Sequence, residues 1–297
     1  MTRNAGSSAG RIGFIGLGNM GRPMSNNLAR AGCDLVVYDV AGTQDRAPAG
    51  AEAASDVAQV AAAATTVLLS LPDGDAVHAV VRAIAARSPR VTGAVVDLST
   101  IGIEAAQETA RLLDAEGIAY LDAPVSGGVA GAAAASLALM AAGARADFDR
   151  LDPLLAHIAA NRFHVGDTPG QGQAMKLLNN FLSATASAAT SEATLFGARH
   201  GLALSTMLDV LNASSGRNTA TSDKFPRAVL PGTFDLGFAA TLMAKDARLY
   251  REGVEAAGTP AAIAQVVAAL CAEMADAMPD ADFSQIYEFI GRRSAPV

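Results

Sequence analysis

The sequence predicts an α/β domain built on a mostly parallel, doubly wound sheet, followed by a long helix and an all-α domain. Three observations carry that expectation. Short apolar runs alternate with Ala-rich amphipathic stretches through the first half, a glycine-rich turn joins the first run to the first helix, and strand signals fade beyond Gly166. Parallel strands covered on both faces read as continuous apolar runs, and these runs have that character.

The predicted strands are Arg11–Ile15, Leu35–Asp39, Val67–Leu71, Ala94–Leu98 and Ala119–Ala123, each short and almost wholly apolar. Between them, Met20–Ala31, Ser55–Ala63, Asp75–Ala86 and Ile103–Glu116 read as helices. Ser136–Ala141 and Arg162–Val165 add two further strands around a helix at Asp147–Ile158. The stretch Gly166-Asp167-Thr168-Pro169-Gly170 punctuates the chain. Beyond it come one long helix from Gln173 to about His200, then Ser205–Asn212, Ala239–Ala257 and Pro260–Ala277. Domains of 11–168 and 169–297 follow, with the Gly/Ser/Asn-rich residues 1–10 as a disordered tail.

A chain of 297 residues, 51% hydrophobic and 17% charged, has material for two cores and no signature of disorder. The uncharged run Ala123–Ala144 is long enough on paper to span a bilayer, but Pro124 and several glycines interrupt it, so it reads as strand and loop. A net charge of −7 without any block of Lys or Arg disfavours nucleic acid and anionic membranes as partners. The N-terminus has no apolar segment of the secretory kind, which makes a cytoplasmic protein the expectation. Cys33 and Cys271 match no metal spacing and read as two buried thiols in a reducing compartment. His78, His157, His164 and His200 show no ligand spacing either, and structural roles are expected for them.

Chemistry begins at the first turn. In Gly16-Leu17-Gly18-Asn19-Met20-Gly21 the glycines form Gly-x-Gly-x-x-Gly between a strand and a helix. One glycine makes the turn, one lets the backbone approach a pyrophosphate, and one lets helix and strand pack closely, while the helix N-terminus supplies N–H donors. In this context the fingerprint is that of a Rossmann domain, with Gly16, Leu17, Gly18, Asn19, Met20 and Gly21 as cofactor-binding residues. Asp39 ends the second strand about 20 residues further on, where a carboxylate accepts from ribose hydroxyls and repels a 2′-phosphate. NAD is therefore expected; the nearby Arg46 keeps NADP possible. Leu71, Pro72 and Thr100 stand at later strand ends, where ligands of such sheets bind.

Three clusters remain. Ser126, Gly127 and Gly128 follow a strand and offer a hydroxyl and unhindered backbone amides to a carboxylate. Lys176 and Asn180, four apart, share one face of the long helix and can grip a substrate oxygen; alone, such a lysine is usually solvated. Ala244-Lys245-Asp246 lies inside a later helix and by itself reads as a surface charge pair.

Together with Leu211–Arg217 and Thr241–Asp246, these clusters make the chain resemble the β-hydroxyacid dehydrogenase family, in its 3-hydroxyisobutyrate dehydrogenase branch, from Arg11 to Ile290. The resemblance implies a Rossmann domain, a long interdomain helix and an all-helical domain for substrate and oligomerisation, as a homodimer or homotetramer. It implies that Lys176 is the catalytic lysine with Asn180 its helper, that Ser126, Gly127 and Gly128 hold the carboxylate, and that Lys245 contacts substrate and nicotinamide. For Lys176 to act as a base it must be partly neutral, which burial and a nearby Lys245 would favour. Two departures stand out. Asn218-Thr219 replace an aromatic residue expected after Ser-Ser-Gly-Arg, pointing to a more polar or differently shaped substrate, and Ala76 replaces an Asn that would contact cofactor.

The expected reaction is NAD-dependent oxidation of a small 3-hydroxy acid to its semialdehyde. A reductase of tartronate semialdehyde or another polar semialdehyde is the nearest alternative. A non-catalytic dinucleotide-binding regulator is a distant one, opposed by the retention of both Lys176 and Asn180. Lys176 also argues against imine reductases, which usually lack a lysine there. A 6-phosphogluconate dehydrogenase would need a longer chain and a phosphate site.

Overall fold

The computed structural model describes residues 10–293. Apart from Gly10, the expected disordered tail lies outside the described residues. The chain divides into two compact units, the first ending at Lys176 and the second beginning at Leu177, so the break falls inside a helix.

The first unit contains β1 (Ile12–Ile15), α1 (Gly21–Arg30), β2 (Leu35–Tyr38), β3 (Glu52–Ala53), α2 (Val57–Ala63), β4 (Thr66–Leu69) and α3 (Gly74–Ala85). It continues through β5 (Ala94–Asp97), α4 (Ile103–Asp114), β6 (Ala119–Asp122), β7 (Val125–Ser126), α5 (Gly128–Ala133), β8 (Ala138–Ala142), α6 (Arg145–Leu155) and β9 (Asn161–Gly166). The strands form one sheet in the order β3-β2-β1-β4-β5-β6-β8-β7, with β9 also paired to β8. Pairing is parallel from β3 through β6 and between β8 and β9, and antiparallel where β8 meets β6 and β7. The chain moves outward from β1 in both directions, so the end of β1 is the point where strand order reverses and ligands of this architecture bind.

The alternation of side chains along each strand divides the core in two. Ile12, Phe14, Leu35, Val37, Leu68, Val96 and Leu121 pack on one face of the sheet. Ile15, Val36, Val67, Leu69, Val95 and Tyr120 pack on the other. All are buried, and a fully buried side chain of this size contributes about 1.5–3 kcal/mol. Phe14 is wholly buried in β1 beneath the first turn, and its truncation should cost about 3–5 kcal/mol.

The second unit carries most of α7 (Gln171–Arg199), then α8 (Leu204–Asn212), a π-helical segment over Ala220–Val229, α9 (Ala240–Ala256), α10 (Ala262–Ala277) and α11 (Ile286–Arg292). Its larger core gathers Ala184, Met243, Val267, Cys271, Met274, Phe283 and Ile286. Lys224, in the π-helical segment, donates to the Ser183 carbonyl at 3.2 Å and to the hydroxyls of Ser183 and Ser187 at 2.5 and 3.1 Å, which ties that segment to α7. Burial lowers its pKa to about 8.

Several expectations need correction. The run 123–144, read as strand and loop, also contains α5, which glycine-rich composition disguises; Asn27 Nδ2 holds it by donating to the Ala132 carbonyl at 2.7 Å. The segment 220–229 carried no helical expectation because Pro226 and a polar first turn suggest loop, yet the Asn218 side chain caps it. α11 is short enough to escape periodicity altogether. Cys271 is buried as expected, whereas Cys33 is only partly so; both are free thiols. No helix among the described residues is long and apolar enough to cross a membrane.

Candidate functional site

The first unit builds a dinucleotide cradle at the end of β1. Gly16 takes φ +93°, which only glycine adopts without strain. A Cβ on Gly21 would stand 1.8 Å from the Gly16 carbonyl oxygen, so the third glycine is what allows α1 to start against the turn. A Cβ on Gly18 would meet nothing within 4 Å: this is open space facing the backbone, as a phosphate requires. Leu17 is buried under the turn, and Met20 and Gly21 lead into α1 with Asn19 exposed beside them.

The α1 N-terminus differs in its chemistry from those of α2 and α3. Met20 at its N-cap offers no side-chain hydrogen bond, and the first turn has no acid. By contrast, α2 and α3 are capped by the carboxylates of Asp56 and Asp73. Uncapped N–H groups and the positive end of the helix dipole together favour an anion. Arg22, exposed in that first turn, adds a cation which the sequence reading did not single out.

Asp39 stands just past β2, buried, and both its oxygens face backbone amides. Oδ2 accepts from Leu17 N–H at 2.6 Å and Oδ1 from Ala41 N–H at 2.8 Å. The carboxylate thus orders the glycine turn and keeps lone pairs for ribose hydroxyls. Arg46 reaches it at 3.6 Å. Val40, 89% exposed, follows it at the mouth of a groove of about 490 Å³ lined by Tyr38, Thr43, Ala54 and Gln59. Leu71 and Pro72 follow β4, where Leu71 N–H donates to Ser99 Oγ at 2.9 Å. Thr100 follows β5 beside that serine. Ala76, at the departure from the expected Asn, gives its N–H to Asp73 in the α3 cap.

At the far side of the sheet, Ser126 closes β7 and Gly127 and Gly128 open α5 with φ of +134° and +64°. A Cβ on Gly127 would stand 2.9 Å from Leu137, so the turn is tight as well as left-handed.

Two buried carboxylates lie side by side at the ends of β5 and β6, Asp97 paired in register with Asp122. Burial drives both pKa values up, that of Asp97 to about 7. Asp122 accepts from Gly170 N–H, Gln173 N–H and the Gln173 amide, which favour its charged form, whereas Asp97 has the Ser99 N–H and the Tyr120 hydroxyl at 3.0 and 3.3 Å. These bonds stabilise the charged form of Asp122 more than that of Asp97. None of Asp97, Asp122 and Gln173 was singled out for a role in the sequence, because nothing local distinguishes a buried acid at a strand end from a turn residue.

Lys176 and Asn180 lie on one face of α7, each 6% exposed. A lysine so deeply enclosed is unlike the solvated surface group usual on helices. In the second unit, Asn180 Nδ2 donates to Asp246 Oδ2 at 2.6 Å. Lys245 Nζ stands 3.7 Å from Asp246 Oδ1, and with Asp246 buried the two are not the surface pair that spacing suggests. Asn218 does not present a spare amide. Its oxygen accepts from the Ala220 and Thr221 N–H groups, and its nitrogen reaches Thr190 and Gly216. The inference of a more polar substrate drawn from Asn218 loses its basis. No cluster of metal-ligating side chains occurs among the described residues.

Residues 11–166 match the family described as the NAD binding domain of 6-phosphogluconate dehydrogenase. Residues 170–290 match the one described as NAD-binding of NADP-dependent 3-hydroxyisobutyrate dehydrogenase. The chain is 36% identical over 291 residues to the 3-hydroxyisobutyrate dehydrogenase of Pseudomonas aeruginosa, covering 93% of this chain and 96% of that one. It is 35% identical over 254 residues to the 2-(hydroxymethyl)glutarate dehydrogenase of Eubacterium barkeri, covering 84% of each. A solved structure of Mycobacterium tuberculosis 3-hydroxyisobutyrate dehydrogenase with L-serine superposes with a TM-score of 0.89 at 34% identity, covering 96% of this chain and all of the other.

Proposed function

The chain belongs to the β-hydroxyacid dehydrogenase family, and from that premise we propose that it oxidises a small 3-hydroxy acid of the 3-hydroxyisobutyrate type to its semialdehyde, with Lys176 as the acid/base. It is an NAD(P)-dependent oxidoreductase of hydroxy acids by that membership. The observation that supports the finer reading is the pairing of an enclosed lysine with an enclosed amide one helical turn apart, at Lys176 and Asn180.

When bound, a nicotinamide cofactor would supply the hydride-acceptor chemistry at this site. Gly18, Asn19, Met20 and Gly21 would offer backbone N–H groups to its pyrophosphate, while Gly16 and Leu17, whose own N–H groups are bound to the Tyr38 carbonyl and to Asp39, would shape the turn beneath it, and Asp39 would hold its ribose. Leu71, Pro72 and Thr100 would complete that cleft. Lys176 Nζ, as the neutral amine, takes the hydroxyl proton as the carbonyl forms, and in the reverse direction, as the ammonium, returns it to the oxygen. Asn180, held by Asp246, orients the same oxygen. Ser126, Gly127 and Gly128 receive the substrate carboxylate through the hydroxyl and the amides of a left-handed turn. Lys245 supplies the charge complement that the family resemblance implies. Asp39 with the neutral Val40 after it supports NAD over NADP, since neither residue can neutralise a 2′-phosphate.

The second unit also has a groove of about 870 Å³ in which Leu195, Phe196, Val266 and Leu270 lie among Glu192, Arg199, Glu273 and Arg293, with Phe196 and Val266 67% and 68% exposed. Such a patch supports a homo-oligomer.

The test is steady-state kinetics on 3-hydroxyisobutyrate, glycerate, 2-(hydroxymethyl)glutarate and serine with NAD and NADP in parallel, for wild type and Lys176→Ala. Positioned proton transfer is worth about 10²–10⁴-fold, and the variant should lose that much in kcat. Near-normal turnover with an unchanged pH profile in the variant refutes the role given to Lys176. Highest kcat/KM on glycerate, or reduction of tartronate semialdehyde far faster than any oxidation, would instead establish the polar-substrate reading.

A further inference from the structure

We propose that Asp122 and Gln173 form a positioning device that sets the rotation and height of α7, and so aims Lys176; the inference rests on the acid/base role given above to that lysine. Gln173 is wholly buried in the first turn of α7 and uses every hydrogen-bonding valence of its side chain. Its Nε2 donates to Asp122 Oδ1 at 2.6 Å and to the Ser99 carbonyl at 3.1 Å. Its Oε1 accepts from Ile101 N–H at 2.9 Å and Gly102 N–H at 3.2 Å. The second oxygen of Asp122 accepts from Gly170 N–H at 2.9 Å and Gln173 N–H at 3.1 Å.

The pair therefore joins three pieces of chain far apart in sequence: the segment after β5, the end of β6 and the start of α7. The first turn of α7 has no acidic residue of its own. Asp122 supplies the negative charge from the neighbouring strand, as a cap delivered from outside the helix. Gly172 shows how close the fit is, since a Cβ there would stand 2.6 Å from the carbonyl oxygens of both Asp122 and Met140.

Gln173, Lys176 and Asn180 fall at i, i+3 and i+7, on one face of the helix. Lys176 lies about 4.5 Å along the axis from Gln173. A lysine tip stands roughly 8 Å from the helix axis, so a roll of only about 10° would move it by more than 1 Å. Misplacement on that scale can cost about 10²-fold in rate. Hydrogen bonds at Gln173 thus help to decide whether the Lys176 Nζ meets the reacting oxygen.

The experiment compares Gln173→Ala, Asp122→Asn and the double variant Asp122→Asn/Gln173→Glu in the full-length enzyme, with active sites counted by cofactor titration. The double variant exchanges donor and acceptor across the pair. Gln173→Ala should lower kcat per site by 10- to 100-fold and displace the pH profile, while KM for NAD stays within about threefold. The double variant should recover at least fivefold in kcat over Asp122→Asn. A kcat per site and pH profile equal to wild type in Gln173→Ala overturns the inference. Should that variant fail to fold, a double variant no better than Asp122→Asn overturns it equally. Lys176→Ala separates the two ideas: full activity there defeats the role of the lysine, whereas a dead Lys176→Ala beside a normal Gln173→Ala defeats only the positioning device.

Discussion

Replacing Asp97 by asparagine should remove the share of the protein's stability loss with rising pH that comes from ionising that acid. Asp97 is wholly buried, with Asp122 beside it, and its pKa is raised from 3.8 to about 7. Desolvation is the main cause, and the neighbouring carboxylate adds to it, while bonds to Ser99 and Tyr120 oppose the shift. A raised pKa means the folded state holds a proton that the unfolded chain releases near pH 4. The contribution is therefore fully present below about pH 4 and disappears as pH rises towards 7. At about 1.4 kcal/mol per pH unit, ionising Asp97 costs roughly 4 kcal/mol in all, and roughly 2–3 kcal/mol of this falls between pH 5 and pH 8. The asparagine of Asp97→Asn would imitate the protonated acid. Its oxygen can accept from Ser99 N–H, as Oδ1 does at 3.0 Å, and its amide can donate to the Tyr120 hydroxyl, now 3.3 Å from Oδ2. Urea denaturation followed by circular dichroism at pH 5, 6, 7 and 8 measures both proteins. The variant should match wild type near pH 5 to within about 1–2 kcal/mol and exceed it by a further 2–3 kcal/mol at pH 8. Parallel curves for the two proteins would show that Asp97 is ionised in the fold and that the proton lies elsewhere.

Two further outcomes are expected at the ligand sites. Ser126→Ala should raise KM for the hydroxy acid by about tenfold, the worth of one hydrogen bond to a charged group, while KM for NAD moves less than twofold; equal losses in both would mean the serine only shapes the turn. Asp39→Ala removes the acceptor of the Leu17 N–H and the repulsion of a 2′-phosphate, so the ratio of kcat/KM for NAD to that for NADP should fall by at least tenfold; an unchanged ratio would place cofactor choice outside Asp39.

Much of this molecule is local and therefore legible in the chain. The apolar runs of β1, β2, β4, β5 and β6 declare a parallel sheet because strands buried on both faces have no polar side to display. Gly16, Gly18 and Gly21 declare the cradle because a close backbone approach excludes every side chain, a demand that falls on consecutive residues. Lys176 and Asn180 could be placed together because four residues make one helical turn. What spacing leaves undetermined is everything that depends on residues distant in sequence. The burial of Lys176 and the bond between Asn180 and Asp246, 66 residues apart, belong to the folded chain alone. Asp97 and Asp122 become a coupled pair, and Gln173 a clamp, only once the ends of β5, β6 and α7 meet away from water. A hydrogen bond in solvent exchanges one partner for another at little net gain, whereas the same bond in a closed interior has no substitute, so the identity of these polar groups acquires its meaning from the fold and not from the string.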